Sequence, residues 1–272
     1  MTRIGDTFRK LNESGTGAFI PYVCAGDPDK RFTVDLVEAL SRAGADIVEL
    51  GLPFSDPVAD GPVIQRSMQR SLSGGFRTKD LFEIVSTLRS RGIVQPIVVM
   101  TYFNPVLKFG VSTFCGQFAD SGADGLLVVD LPLEESSGLD SMARDNDLDV
   151  IRLVAPTTSD LRIDQILSQS SGFVYAVSVA GTTGAREVLP ESAEALLKRV
   201  VRKSELPVAL GFGISSPQQV RSALDAGASG VVVGSRIISE YSDGSGVRND
   251  GLARVERFSG TLKAATRRTA NR

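Results

Sequence analysis

Ala43-Gly44-Ala45-Asp46-Ile47-Val48-Glu49-Leu50 reads as a helix end, a tight turn and the start of a strand. Glycine suits the left-handed residue that closes a helix, and the small residues beside it let the chain turn directly into the apolar run. The unit recurs as Ser121-Gly-Ala-Asp-Gly-Leu-Leu-Val128 and Ala226-Gly-Ala-Ser-Gly-Val-Val-Val233. Ordinary reuse of an α/β turn and a relic of duplication both explain the recurrence, and both imply the same fold. Working outward, strand-like runs occupy residues 18–24, 46–50, 97–102, 125–129, 150–154, 173–177, 208–211 and 230–233, and the three units fall on even-numbered runs. The runs are short, continuous and rich in Val, Ile and Leu, as in parallel strands covered on both faces. Helical patterns such as residues 32–40 and 191–198 lie between them. Eight strands alternating with helices, without a linker or a composition shift, predict an α/β fold with a single domain over residues 1–272, a (β/α)8 TIM barrel. In that architecture chemistry belongs at the C-terminal ends of the strands.

Composition narrows the function. A hydrophobic content of 42% provides for a large core, yet no apolar run approaches the roughly 20 residues that cross a bilayer. The start, MTRIGDTFRKLNESG, lacks a hydrophobic signal core, so no membrane association and a cytoplasmic location are expected. Cys24 and Cys115, far apart and alone, suit a reducing compartment. A net charge of −2 argues against a nucleic-acid partner. With no histidine in the chain, neither a Ser-His-Asp triad nor a typical zinc site can be built, and no metal is expected. Acid–base work falls to Asp, Glu, Lys, Tyr or Cys.

The seventh run continues into Gly211-Phe212-Gly213-Ile214-Ser215-Ser216-Pro217, where Ser216 can cap a helix and Pro217 fits its first turn. The eighth ends in Gly234-Ser235. Barrel phosphate sites are commonly built from these two loops, with backbone amides and a helix dipole facing the anion. Two glycine turns on neighbouring strands therefore point to phosphate binding, the alternative being tight turns alone. The loop over residues 178–190, with Gly181 and Gly184, exceeds an ordinary connector and reads as a lid over substrate or as a loose connection.

Glu49 stands near the end of the second run among apolar neighbours, where burial should raise its pKa toward neutrality unless an arginine pairs with it. Asp60 follows in a proline-stiffened loop, Phe54-Ser-Asp-Pro-Val-Ala-Asp-Gly-Pro62, in which Asp56 fits helix capping or partner contact equally well. Asp130, ending the fourth run, is a candidate supporting group. All seven lysines fall in predicted helices or loops, which disfavours a Schiff-base aldolase. No dinucleotide fingerprint follows the first run. Carboxylates acting alone cleave or isomerise only a substrate that carries its own electron sink.

The segment from Val48 to Gln65 resembles the signature of the tryptophan synthase alpha subunit family. So do Pro21-Tyr-Val-Cys-Ala-Gly-Asp-Pro28, Tyr102-Phe-Asn-Pro105, Asp130-Leu-Pro132 and Gly211-Phe-Gly-Ile214, in order over most of the chain. The resemblance implies a TIM barrel of ribulose-phosphate-binding type and a lyase of tryptophan biosynthesis. Its reaction is the retro-aldol cleavage of indole-3-glycerol phosphate to indole and D-glyceraldehyde 3-phosphate, in which the indole ring is the electron sink. It implies that Glu49 protonates the ring carbon and helps remove the side-chain hydroxyl proton, that Asp60 accepts the indole N–H, and that Tyr175 lines the catalytic site. Gly184, Gly213, Gly234 and Ser235 would bind phosphate, and Thr183 would link the lid to Asp60. Tyr22, Met100, Leu127, Phe212 and Val232 would form the indole slot. By the same resemblance the partner is a beta subunit carrying pyridoxal phosphate in an alpha2-beta2 complex, docked through residues 53–61, with Pro53, Asp56 and Pro57, and the region of Asn104. This chain itself would need no cofactor. Cys24 and Thr182 depart mildly from the family pattern. Competing readings are a free-standing indole-glycerol-phosphate lyase, a sugar-phosphate isomerase, and a non-catalytic activator, which would have no use for a buried strand acid.

Overall fold

A computed structural model describes residues 2–177, 189–211, 213–243 and 246–268. Helix α1 (Arg3–Glu13) precedes β1 (Ala18–Cys24), α2 (Lys30–Arg42) and β2 (Val48–Gly51). Paired helices follow each of the next two steps: α3 (Pro62–Ser73) and α4 (Thr78–Ser90) before β3 (Ile97–Thr101), then α5 (Phe103–Phe109) and α6 (Val111–Ser121) before β4 (Gly125–Val128). The chain continues through α7 (Ser137–Asp145), β5 (Asp149–Val150), β6 (Arg152–Val154), α8 (Asp160–Ser168), β7 (Val174–Val177) and α9 (Glu191–Lys203). It ends with β8 (Val208–Gly211), α10 (Pro217–Asp225), β9 (Gly230–Val233), α11 (Ser235–Tyr241), a short antiparallel ribbon and α12 (Gly251–Ala264).

The strands are all parallel and lie in the order β5-β4-β3-β2-β1-β9-β8-β7-β6. The two ends of that order, β5 and β6, are separated in the chain by Ile151 alone, so the sheet closes on itself through one run of backbone. The sequence predicts a single strand over 150–154. The run instead pairs with β4 through residues 149 and 150 and with β7 through 152–154, because it is the stave on which the ring joins.

Register separates the two faces. Tyr22 pairs with Glu49, Glu49 with Val98, Gly51 with Met100 and Met100 with Leu127. On the other half Tyr175 pairs with Ala209, Val177 with Gly211, and Ile20 with Val232. Alternation with period two puts all of these side chains on one face, the barrel interior, and turns Val23, Leu50, Val99 and Leu210 outward against the helices.

The N-terminal end of the barrel is filled. A Cβ on Gly125 would lie 2.8 Å from Ile151 Cδ1 and 3.0 Å from Ile4 Cδ1, so α1 sends Ile4 into the floor. Phe8, one helical step along, packs its ring 5.6 Å from that of Phe173.

The recurrent turn has a mechanical role that its sequence does not disclose. Asp46 accepts the Phe19 N–H at 2.7 Å with its carboxylate and donates its own N–H to the Phe19 carbonyl at 3.0 Å. The same two-bond clasp joins Asp124 to Ile97, Ser171 to Val150 and Ser229 to Val208. Each clasp ties the residue ahead of an even stave to the start of the odd stave before it, four times around the ring. Aspartate and serine serve because a short side-chain oxygen reaches a neighbouring backbone N–H.

Candidate active site

Glu49 is the second residue of β2 and points inward, 2% exposed. Neither carboxylate oxygen has a hydrogen-bond partner among the described residues, so the arginine strut that sequence left open is not formed there. Burial pushes its pKa up to about 8, and the nearby charge of Asp60 adds to the rise. Such a carboxyl is mostly protonated at neutral pH.

Asp60 reaches the same interior from the loop after β2. Its Oδ2 accepts the Tyr102 hydroxyl at 2.7 Å, while Oδ1 is buried without a partner among the described residues. Burial raises its pKa to about 6, against the opposing effect of the Tyr102 hydrogen bond. Tyr102, the residue after β3, also accepts the Ala59 N–H at 3.1 Å and packs on Phe54 with ring centroids 5.1 Å apart. It thereby holds the loop and its acid together. In sequence, Tyr102 belongs to the Tyr102-Phe-Asn-Pro105 motif and carries no assigned role. The available signal was that a buried tyrosine hydroxyl normally finds a partner. Asp130 accepts the Phe103 N–H at 2.7 Å and so fixes the start of α5 beside Tyr102.

Tyr22 and Tyr175 complete the polar cluster. Both phenols are buried, and the charges of Glu49 and Asp60 help to raise their pKa values, burial being the main cause. Each ring leans over a glycine on the next stave: a Cβ on Gly51 would lie 2.1 Å from the Tyr22 hydroxyl, and one on Gly211 would lie 2.3 Å from that of Tyr175. Any larger residue there would displace the rings, so these glycines are the space the phenols occupy. Met100, Leu127 and Val232 are buried on the same interior face.

At the other side of the rim, Ser216 caps α10 by accepting the Gln219 N–H, with Pro217 at its first position as sequence predicts. The Gln219 side chain in turn accepts the Ser215 N–H at 2.7 Å, so α10 supplies its own acceptors. Helix α11 differs. Its cap is Gly234, with no side chain to accept the first-turn amides, and Ser235 is exposed at its first position. Gly213 sits nearby on the loop after β8, with open space where a side chain would stand. Thr183, Gly184 and Phe212 lie outside the described residues, as do residues 178–188 of the lid predicted over 178–190.

The expected docking residues are elsewhere on the rim. Asp56 and Asn104 are exposed, Pro57 is half-buried and Pro53 is buried, while Val58 and Leu107 present large apolar side chains to solvent. Every lysine lies in a helix, as sequence predicts. No group of three or more His, Cys, Asp or Glu side chains able to hold a metal occurs among the described residues. No helix there is long and apolar enough to cross a membrane.

Comparison with known proteins agrees with this geometry. The family model described as "Tryptophan synthase alpha chain" matches residues 8–267. The tryptophan synthase alpha chain of Methanosarcina acetivorans is 47% identical over 264 residues, covering 96% of this chain and 95% of that one. That of Methanosarcina barkeri is 45% identical over 268 residues, 98% of each chain. The crystal structure of tryptophan synthase subunit alpha from Legionella pneumophila superposes with a TM-score of 0.89 at 34% identity, over 98% of both chains.

Proposed function

The chain belongs to the tryptophan synthase alpha chain family, and from that premise we propose how its own residues perform the family's lyase reaction. The reaction cleaves indole-3-glycerol phosphate to indole and glyceraldehyde 3-phosphate in tryptophan biosynthesis. The substrate phosphate rests on the amides of Gly213, Gly234 and Ser235, where the uncapped start of α11 turns its positive end toward the anion. The indole ring lies in the slot of Met100, Leu127, Val232, Tyr22 and Tyr175.

Two carboxyls with different affinities for the proton divide the chemistry. Neutral Glu49 gives its proton to indole C3, and the ring nitrogen becomes positive. Ionised Asp60 accepts the ring N–H and stabilises that charge. Glu49, now a carboxylate, takes the proton from the adjacent side-chain hydroxyl. The O–H electron pair becomes the aldehyde C=O, the bond to C3 breaks, and its pair restores the aromatic ring. Glu49 ends protonated, so no net proton or water is consumed.

The observation that carries this reading is the pair of interior acids, adjacent enough for one to raise the pKa of the other, with three oxygens free among the described residues. Incubating the purified chain with indole and glyceraldehyde 3-phosphate tests it. Condensation to indole-3-glycerol phosphate is expected, and equal condensation by Glu49→Gln would overturn the assignment.

The chain acts as one domain in the cytoplasm, consistent with two free, buried cysteines. Its partner is a tryptophan synthase beta subunit, which carries the pyridoxal phosphate. Exposed Val58 in the 53–61 loop and Leu107 on α5, with Asp56 and Asn104, offer that partner a mixed apolar and polar face.

A further inference from the structure

Tyr22 presents a second polar feature inside the barrel that the acid chemistry leaves unused. The residue is 2% exposed, and its hydroxyl has no hydrogen-bond partner among the described residues. A phenylalanine would fill the same volume without burying an unsatisfied polar group, which is unfavourable. The ring's placement says what the oxygen serves. At its root, a Cβ on Gly234 would lie 3.4 Å from both Cβ and Cδ1 of Tyr22. At its tip, the hydroxyl stands over Gly51, two residues along β2 from Glu49, and Tyr22 is itself the register partner of Glu49. The phenol thus runs from the phosphate turn to the acid. A substrate held by its phosphate at Gly234 and reacting at Glu49 must lay the carbons between those two groups along this ring.

Resting on the reading of the site given above, we propose that the Tyr22 hydroxyl binds the hydroxylated three-carbon arm of the substrate, hydrogen-bonding the alcohol next to the one that Glu49 deprotonates. A phenolic hydroxyl is donor and acceptor at once, which matches an alcohol. Tyr22 is therefore a specificity-determining residue for a polyol phosphate, in addition to forming one wall of the indole slot.

Tyr22→Phe, made in the full-length chain, tests the assignment with two ligands. One is indole-3-glycerol phosphate; the other is 3-(indol-3-yl)propyl phosphate, which keeps ring and phosphate but has hydrogen in place of both hydroxyls. Expected is a loss of about tenfold in kcat/KM for the first, the size of one buried hydrogen bond, with unchanged affinity for the second. Unchanged binding of the analogue also shows that the variant is folded. Equal weakening of both ligands, or no loss with the hydroxylated one, would overturn the proposal. A parent chain that cleaves nothing would instead sink the functional reading, and the dissociation constants of the two ligands would still decide the role of Tyr22.

Discussion

A carboxyl that titrates near pH 8 beside another near pH 6 sets the working range of the site. The proposed mechanism needs Glu49 protonated and Asp60 ionised, so kcat/KM should follow a bell with limbs near those two values. Glu49→Gln should lose at least about 1,000-fold in rate, and Asp60→Asn about 100-fold with disappearance of the acidic limb, both read from pH–rate profiles. Glu49 also has a stability signature. Its folded pKa lies above the ordinary 4.5, so the native state keeps a proton that the unfolded chain releases. Its contribution to stability is therefore greatest at low pH and is lost as pH rises from about 4.5 to about 8. Gln carries no such proton. The stability advantage of Glu49→Gln over the parent should grow by on the order of 5 kcal/mol across that window, measured by urea unfolding at several pH values, and then level off. A gap independent of pH would mean that Glu49 is not held neutral. These acids were legible in sequence because a glutamate inside an apolar strand is costly and a proline-stiffened loop follows it. Tyr102 was not, because its role depends on a loop more than 40 residues away.

Between neighbouring staves, the four clasps divide the barrel into pairs: β1 with β2, β3 with β4, the β5–β6 run with β7, and β8 with β9. Ser171→Ala should lower stability by about 1 kcal/mol or a little more, since it removes the bond to the Val150 N–H and the hydroxyl beside the Asp149 carboxylate. Asp124→Ala should cost more, about 3 kcal/mol. It strips the Ile97 N–H and leaves Arg89, itself tied at 2.7 Å, without its carboxylate. Urea midpoints at constant m-value check both, and equal losses would mean that the ion pair adds nothing. Three of these turns stood out in the sequence because they share Gly-Ala ahead of the strand. The fourth reads Ser170-Ser171-Gly172-Phe173 and stayed hidden: its clasp needs only the serine oxygen and the facing N–H, a relation between distant residues. Strand periodicity located all the staves within a residue or two, while the break at Ile151 reflects ring closure, which no local pattern records.

As a whole, the molecule places its acids, the proposed anion turn and two of its large exposed apolar side chains, Val58 and Leu107, toward one end of the ring. Leu107→Asp should leave basal cleavage intact and weaken association with a beta chain about tenfold, read by titrating that chain against the cleavage rate. Leu161→Asp, at a leucine still more exposed on α8, is the control and should change neither. Loss of basal cleavage in Leu107→Asp would count against a docking role. The expected docking residues Pro53, Asp56, Pro57 and Asn104 were nameable only through resemblance, and Leu107 was not named at all, because an exposed leucine on a short helix carries no signal until the rim it belongs to is known. The floor closed by Ile4 and Phe8 has a further consequence for traffic. A vessel stopped at its foot is filled and emptied at its lip, so incoming reactant and both departing fragments compete for passage there. A second protein that takes indole directly, without loss to bulk water, must be seated against that lip.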